Sequence, residues 1–286
     1  MSDYFTEQSE SDAVTTYRLV GRAFEGRTAA GVDTLIADSA EYGRLLFLDG
    51  ELQSASADEP IYHESLVHPV MAGVETGDAP IRVLVVGGGE GATVREVLRW
   101  PNVAIDWVDY DQDLVNLCRE HLRWAPAVYN HDHVRYIPGD IQVVLPTLGS
   151  YHVIILDLPD PDGDTGYLYS EEFWTSMREH LRGDGRLVTH CGPVRPFRGI
   201  GGGFQRVGAA LGGNGLAGFY TVGIPSFQGD WGFWMMTKDG SDPFWFLYNR
   251  TTPLWLPQGL QVVDRLQLKA WANPTKRWVL AMNGLM

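Results

Sequence analysis

The sequence predicts an α/β protein, a largely parallel sheet with helices on both faces, preceded by a small antiparallel β unit. Three observations predict it. Strand-like and helix-like segments alternate from residue 81 onward, as βα units on a parallel sheet do. Residues 83–100 pass from an apolar strand (Val83 to Val86) through glycines into helix formers. β-formers separated by turn residues crowd the stretch between Thr15 and Ser56.

The elements follow in order. Residues 1–14 are polar and acidic and are expected to fray. The β-rich segments 16–20, 32–36 and 44–48 read as short antiparallel strands, with Asp49-Gly50 as a turn. Asp58 to Gly73 carries helical periodicity at Ile61, Leu66 and Val70 and leads into the main sheet. Strands are predicted at 81–86, 103–109, 133–138, 151–157, 185–191, 217–224 and 231–237. Helices are predicted near 92–100, 111–122, 141–148, 170–181 and 203–211. The domain organisation read from this is 1–75, a β unit with a linking helix, and 76–286, the α/β domain.

Composition narrows the function. An apolar share of 44% beside 20% charged residues is that of a folded globular chain rather than a disordered one. The net charge of −14 argues against nucleic acid and anionic membranes and suits a cationic partner, or solubility alone. Cys118 and Cys191 suggest no disulfide framework. No apolar stretch approaches the ~18 residues of a membrane span, and a cytoplasmic location is expected.

In an open α/β sheet, ligands gather at the carboxyl ends of the strands. The turn Gly87, Gly88, Gly89, Glu90, Gly91 is such an end. Glu90 repels a pyrophosphate but welcomes a cation, so the turn points to an adenosine bearing positive charge. Asp109 closes the next strand, about 20 residues beyond the glycines, where a carboxylate accepts ribose hydroxyls. Asp140 follows the third strand, where it is either a turn residue or a contact to an adenine amino group. The fourth strand ends in Asp157-Leu158-Pro159-Asp160-Pro161-Asp162-Gly163-Asp164. This reads as a solvated acidic loop or as carboxylates that bind an amine and take its proton. The spacing lacks the regular alternation and distal glutamate of a dedicated Ca²⁺ loop. No metal-ligand spacing is present around His131 and His133, His68 reads as a packed helix residue, and Met235 and Met236 read as core.

Motifs along most of the chain resemble those of the polyamine aminopropyltransferases of spermidine synthase type. They are Leu48-Asp49-Gly50-Glu51-Leu52-Gln53, Asp58-Glu59-Pro60-Ile61-Tyr62-His63-Glu64, Gly87 to Glu96, Asp157-Leu158-Pro159-Asp160-Pro161, and Tyr167 to Phe173. Glu90, Cys191-Gly192-Pro193, Ile224-Pro225-Ser226-Phe227 and Trp231-Gly232-Phe233 look most like the thermospermine synthase branch. The resemblance implies a Rossmann-like, methyltransferase-type sheet and transfer of the aminopropyl group of decarboxylated S-adenosylmethionine to a di- or polyamine. It implies no permanently bound cofactor and a homodimer or homotetramer.

The residue roles it implies are these. Asp157 is the base or orienting group, with Tyr62 beside it. Gln53, His63, Gly87, Gly89, Glu90, Gly91, Asp109, Asp140 and Ile141 bind the cosubstrate, Glu90 through its aminopropyl ammonium. Asp160, Tyr62, Phe227 and Trp231 bind the acceptor. Val32, His190 and Phe227 depart from the residues usual at their positions. The sequence leaves two alternatives: an S-adenosylmethionine-dependent methyltransferase, and a repurposed relative with altered or no transferase activity.

Overall fold

The computed structural model describes residues 3–7, 14–74, 77–159, 163–194, 218–248 and 254–273. The expected helix near 203–211 and the acceptor-site candidate Asp160 lie outside them.

Five strands form the N-terminal antiparallel sheet in sequence order: β1 (Asp3–Thr6), β2 (Thr16–Arg27), β3 (Asp33–Ser39), β4 (Gly43–Leu48) and β5 (Glu51–Ala55). β1 corrects the expectation of a frayed start. Its Phe5 stacks 4.5 Å from Phe47 and the strand pairs along β2, so a polar-looking segment is held by one aromatic anchor. Asp49 and Gly50 both take positive φ (49° and 88°), and Leu48 pairs Glu51 across the two-residue turn, the twist that antiparallel hairpins favour. Alternation along β3 sends Leu35 and Ala37 into this sheet's own core with Tyr17, Leu45 and Phe47. Ile36 points the other way, onto Leu114, Cys118 and Leu122.

The larger sheet has seven strands in the order β11-β12-β10-β9-β6-β7-β8. They are β6 (Ile81–Gly87), β7 (Val103–Asp109), β8 (Val134–Pro138), β9 (Tyr151–Asp157), β10 (Leu181–Pro193), β11 (Phe219–Ile224) and β12 (Gly229–Thr237). β8, β7, β6, β9 and β10 are parallel, and β12 runs antiparallel between β10 and β11. The strand order reverses between β6 and β9, which makes their carboxyl ends the crevice for a ligand.

Helices cover both faces. Val83, Val85, Val153 and Ile155 bury one face beneath α1 (Glu59–Met71), α2 (Ala92–Leu98) and the late helix Arg265–Trp271. Leu84, Val86, Ile154 and Leu156 bury the other beneath α4 (Ile141–Val144) and α5 (Glu171–Glu179). α3 (Gln112–His121) is the helix that meets the N-terminal sheet. The late helix is α6. The stretch predicted as helix to residue 148 is one turn of α4 followed by a tight turn at Leu145–Thr147.

α1 decides how the site is built. Apart from Pro60 and Ile61 every residue of it is buried, and it packs on the large sheet and on α2 rather than linking two units from outside. Two devices make this burial possible. Pro69 has no N–H to give the carbonyl of Ser65, and the Tyr220 hydroxyl donates to that carbonyl at 2.7 Å instead. Glu64, fully buried, accepts the backbone N–H groups of Gln261, Val262 and Val263 at 2.8–3.2 Å, which fastens the C-terminal segment to the helix.

Candidate active site

Asp157, the last residue of β9, is the centre on which three elements converge. Its Oδ1 accepts the Tyr62 hydroxyl from α1 at 2.7 Å. Its Oδ2 accepts the Thr93 hydroxyl from α2 at 2.6 Å. Its backbone carbonyl accepts Gly88 N–H at 2.9 Å, which closes the glycine turn against the end of β9. Gly87 is required there: at φ 79° it lies so close to the Asp157 carbonyl that a Cβ would sit 2.1 Å from that oxygen. Gly91 enters α2 in the left-handed conformation, as its N-cap. Thr93 carries no sequence signal of its own; it is found only because α2 starts beside β9.

The acids at the ends of the neighbouring strands are equally local in origin. Asp109 ends β7, is 6% exposed, and accepts Asp111 N–H at 2.9 Å. Burial pushes its carboxyl up to about 7. The Asp111 N–H opposes the rise, and the charges of Asp111 and Asp157 add to it. A Cβ on Gly89 would stand 3.3 Å from Asp109 Oδ2, so the glycine keeps the surface beside this carboxylate open. Asp140 follows β8, caps α4 through Gln142 N–H at 2.8 Å, and stands 3.5 Å from the Tyr167 hydroxyl. Ile141 beside it is buried. The N-terminal unit reaches this side through the loop after β2, where Thr28 donates to Asp111 at 2.7 Å and Ala29 N–H to Asp113 at 2.9 Å. Gln53 lies half-buried on β5 with its amide directed to the Glu51 carbonyl at 3.4 Å.

Glu90 and His63 are brought together. His63 was expected to line the pocket; it is 1% exposed, with both ring nitrogens against carboxylates. It therefore meets the site through Glu90, whose Oε1 is 2.7 Å from Nε2.

An aromatic wall stands on the other side of Tyr62. Phe227 lies 6.2 Å from the Tyr62 ring and 4.7 Å from Trp231, and Trp231 stacks on His190 at 6.1 Å. His190 accepts Gly192 N–H at Nδ1 and donates from Nε2 to the Leu158 carbonyl, so it holds the backbone directly after Asp157. The turn that carries Phe227 is pinned from two directions: Asp58 accepts Ser226 N–H at 2.7 Å, and the Tyr17 hydroxyl donates to the Ser226 carbonyl at 3.0 Å.

Residues 59–242 match the model of the spermine/spermidine synthase domain. The chain belongs to this family. A polyamine aminopropyltransferase of a Synechococcus strain is 40% identical over 187 residues, which cover 63% of this chain and 60% of that protein. Polyamine aminopropyltransferase 2 of Pseudomonas aeruginosa is 34% identical over 276 residues, 87% of this chain and 74% of that one. The fold agrees with two crystal structures. One is a spermidine synthase in complex with the transition-state analogue AdoDATO (TM-score 0.82, 22% identity, 99% of this chain and 96% of that one). The other is the spermidine synthase of Thermotoga maritima (TM-score 0.81, 21% identity, 99% and 95%). Within the family domain fall Tyr62, His63, the glycine turn, Asp109, Asp140, Asp157, Phe227 and Trp231. Gln53 and the loop after β2 precede it.

Proposed function

We propose that this chain transfers the aminopropyl group of decarboxylated S-adenosylmethionine to an amine acceptor and releases methylthioadenosine. The observation that carries the reading is the Asp157 carboxylate at the sheet's switch point, oriented by Tyr62 and Thr93 between strand-end acids on one side and an aromatic wall on the other. The names of the curated relatives, and the AdoDATO complex of a spermidine synthase with the same fold, support it.

On the donor side Asp109 accepts the ribose hydroxyls. Asp140 with Ile141 holds the adenine, the turn from Gly87 through Gly89 to Gly91 gives the nucleoside close approach, and Glu90 takes the terminal ammonium. Gln53 borders this pocket. On the acceptor side Tyr62, Phe227 and Trp231 offer ring faces to a cationic chain, and Asp160 anchors its amine. The amine's lone pair forms a C–N bond to the carbon beside sulfur. The C–S bond breaks and its electron pair neutralises the sulfonium. The proton of the new ammonium passes to Asp157. Free aliphatic amines hold their protons to a pH near ~10, so an acceptor that binds as an ammonium must give up a proton before its lone pair can attack, and Asp157 is the carboxylate placed to accept it. Alignment of nitrogen, carbon and sulfur supplies much of the remaining rate. The sulfonium is already an activated leaving group, so the step asks for no metal. The thermospermine-type reading rests on Glu90 and on Phe227, which lacks a phenol hydroxyl. A homodimer or homotetramer in the cytoplasm completes the proposal.

The donor separates this reading from methyl transfer. Titration calorimetry with intact and decarboxylated S-adenosylmethionine is expected to show at least tenfold tighter binding of the decarboxylated form, because the intact form brings, beside its ammonium, a carboxylate that the buried Glu90 repels. Preference for the intact form would reject the proposal.

A further inference from the structure

A file of alternating charges runs from the glycine turn into the interior between α1 and α2. Glu90 Oε1 is 2.7 Å from His63 Nε2, an ion-pair approach rather than an in-line hydrogen bond. His63 Nδ1 is 2.8 Å from both Glu59 Oε2 and the Glu59 carbonyl. Arg95 grips Glu59 with two nitrogens, Nη1 to Oε1 and Nη2 to Oε2, each at 2.8 Å, and holds Glu96 Oε1 with Nε at 2.9 Å. Glu96 Oε2 then meets Arg99 at 3.2 Å and His68 Nε2 at 3.0 Å.

The two histidines in this file are built differently. His68 Nδ1 accepts the Trp100 indole N–H at 3.1 Å, so its one remaining proton sits on Nε2 and points at Glu96. His63 has oxygens at both nitrogens and no donor at either, so both nitrogens must carry protons. Burial opposes that charge, yet Glu90 and Glu59 together raise the imidazole well above its ordinary value. Burial alone would also raise Glu59, but His63 and Arg95 hold it down at about 2. Acids and bases thus alternate along the file in the order Glu90, His63, Glu59, Arg95, Glu96, Arg99.

One carboxylate oxygen of the file is left without a donor among the described residues. Glu90 Oε1 is committed to His63, while Glu90 Oε2 is buried without a hydrogen-bond partner among the described residues. A buried carboxylate oxygen without a donor costs on the order of 1–3 kcal/mol, and an ammonium brings three donors and the opposite charge.

We infer that Glu59, Arg95 and His63 are positioning residues for the donor: they hold Glu90 by one oxygen so that its other oxygen receives the ammonium of the aminopropyl arm. The inference rests on the aminopropyl-transfer reading of this site. Arg95 and Glu59 act through His63, and neither needs to touch a substrate. Loss of the Glu59 charge removes the reason for His63 to stay doubly protonated, and Glu90 then loses the cation that fixes its Oε1.

The test compares two ligands that share the nucleoside and differ in the arm. By calorimetry, Glu59→Gln is expected to lose at least tenfold in affinity for decarboxylated S-adenosylmethionine and to keep its affinity for methylthioadenosine within twofold. Arg95→Lys, which preserves the cation, is expected to retain most of the wild-type ratio. Equal losses for both ligands, or none for either, would overturn the inference and leave α1–α2 stapling as the network's role. Wild-type preference for intact S-adenosylmethionine would instead remove the functional reading beneath it. A second measurement needs no variant. Among the 8 histidines of the chain, ¹⁵N spectra at pH 8.5 should show one with both ring nitrogens protonated, and its absence overturns the inference.

Discussion

Asp157→Asn is expected to lower turnover by about 10²–10⁴-fold while donor affinity stays within a few-fold. Asparagine keeps the shape at the end of β9, and its carbonyl oxygen still accepts one of the hydroxyls of Tyr62 and Thr93. The amide cannot take the proton that the amine must lose, and it removes the negative charge that draws a cationic acceptor to the site. The nucleoside contacts of Asp109 and Asp140 belong to other strands, so binding of the donor is largely spared. Steady-state rates with decarboxylated S-adenosylmethionine and an amine, beside calorimetric donor affinity, separate the two effects. Near-normal turnover in the variant removes Asp157 as the base.

Asp109→Asn is expected to do the reverse, weakening methylthioadenosine and donor binding about 10- to 100-fold, the range for losing charge-assisted hydrogen bonds from two hydroxyls. A pH dependence goes with it. With its carboxyl raised to about 7 by burial, the unliganded site holds a proton there at pH 6 and has released it at pH 8. The ribose hydroxyls need the anion as acceptor. Wild-type affinity is therefore expected to rise about tenfold from pH 6 to pH 8 and to level off above, while the Asn variant shows no such rise. The stability of the unliganded protein runs the opposite way. A folded value above the ordinary 3.8 means that the folded state holds the proton more tightly, so the contribution of this group falls as pH climbs from about 4 to about 7. Titrations of methylthioadenosine across that range check both signs.

What could be read from the chain before the structure was whatever is written locally. The glycine turn, Asp109, Asp140 and Asp157 each follow an apolar strand within a few residues, so strand ends and their acids were visible together. So were most strands of the large sheet, because a strand buried on both faces is a run of Val, Ile and Leu. α1 was visible as a helix, but its packing neighbours were not. A helix buried nearly all round shows little amphipathic contrast, and nothing in its periodicity says which sheet covers it.

The contacts that assemble the site were illegible for a related reason. Tyr62 meets Asp157 across 95 residues, Arg95 meets Glu59 across 36, and Glu64 meets the Val262 backbone across 198. Such pairings follow from which elements pack, and single-sequence spacing does not encode that. His63 illustrates the difference. Its motif implied a place in the pocket, whereas the structure buries it with Glu59 at one ring nitrogen and Glu90 at the other, a pairing that no spacing shows. β1 was missed for want of length: four residues with one anchoring Phe5 carry too little pattern to register as a strand.

The departures from the usual family residues have physical consequences as well. Val32 has no polar side chain; its N–H goes to the Thr28 hydroxyl at 3.2 Å and its carbonyl accepts Thr28 N–H at 3.0 Å, and the loop after β2 is fastened to α3 through Thr28 and Ala29. His190 bonds backbone groups through both ring nitrogens and stacks on Trp231, which stiffens the aromatic wall beside Tyr62.

The central claim is aminopropyl transfer at Asp157, and one measurement tests it most directly. The purified protein is incubated with decarboxylated S-adenosylmethionine and, separately, putrescine, cadaverine, agmatine, spermidine or spermine, with products read by mass spectrometry. The account predicts that at least one amine gains a single aminopropyl group with an equimolar amount of methylthioadenosine, and that Asp157→Asn abolishes both in parallel. Methylthioadenosine binding without any new amine product, or methylated products from intact S-adenosylmethionine, would contradict it.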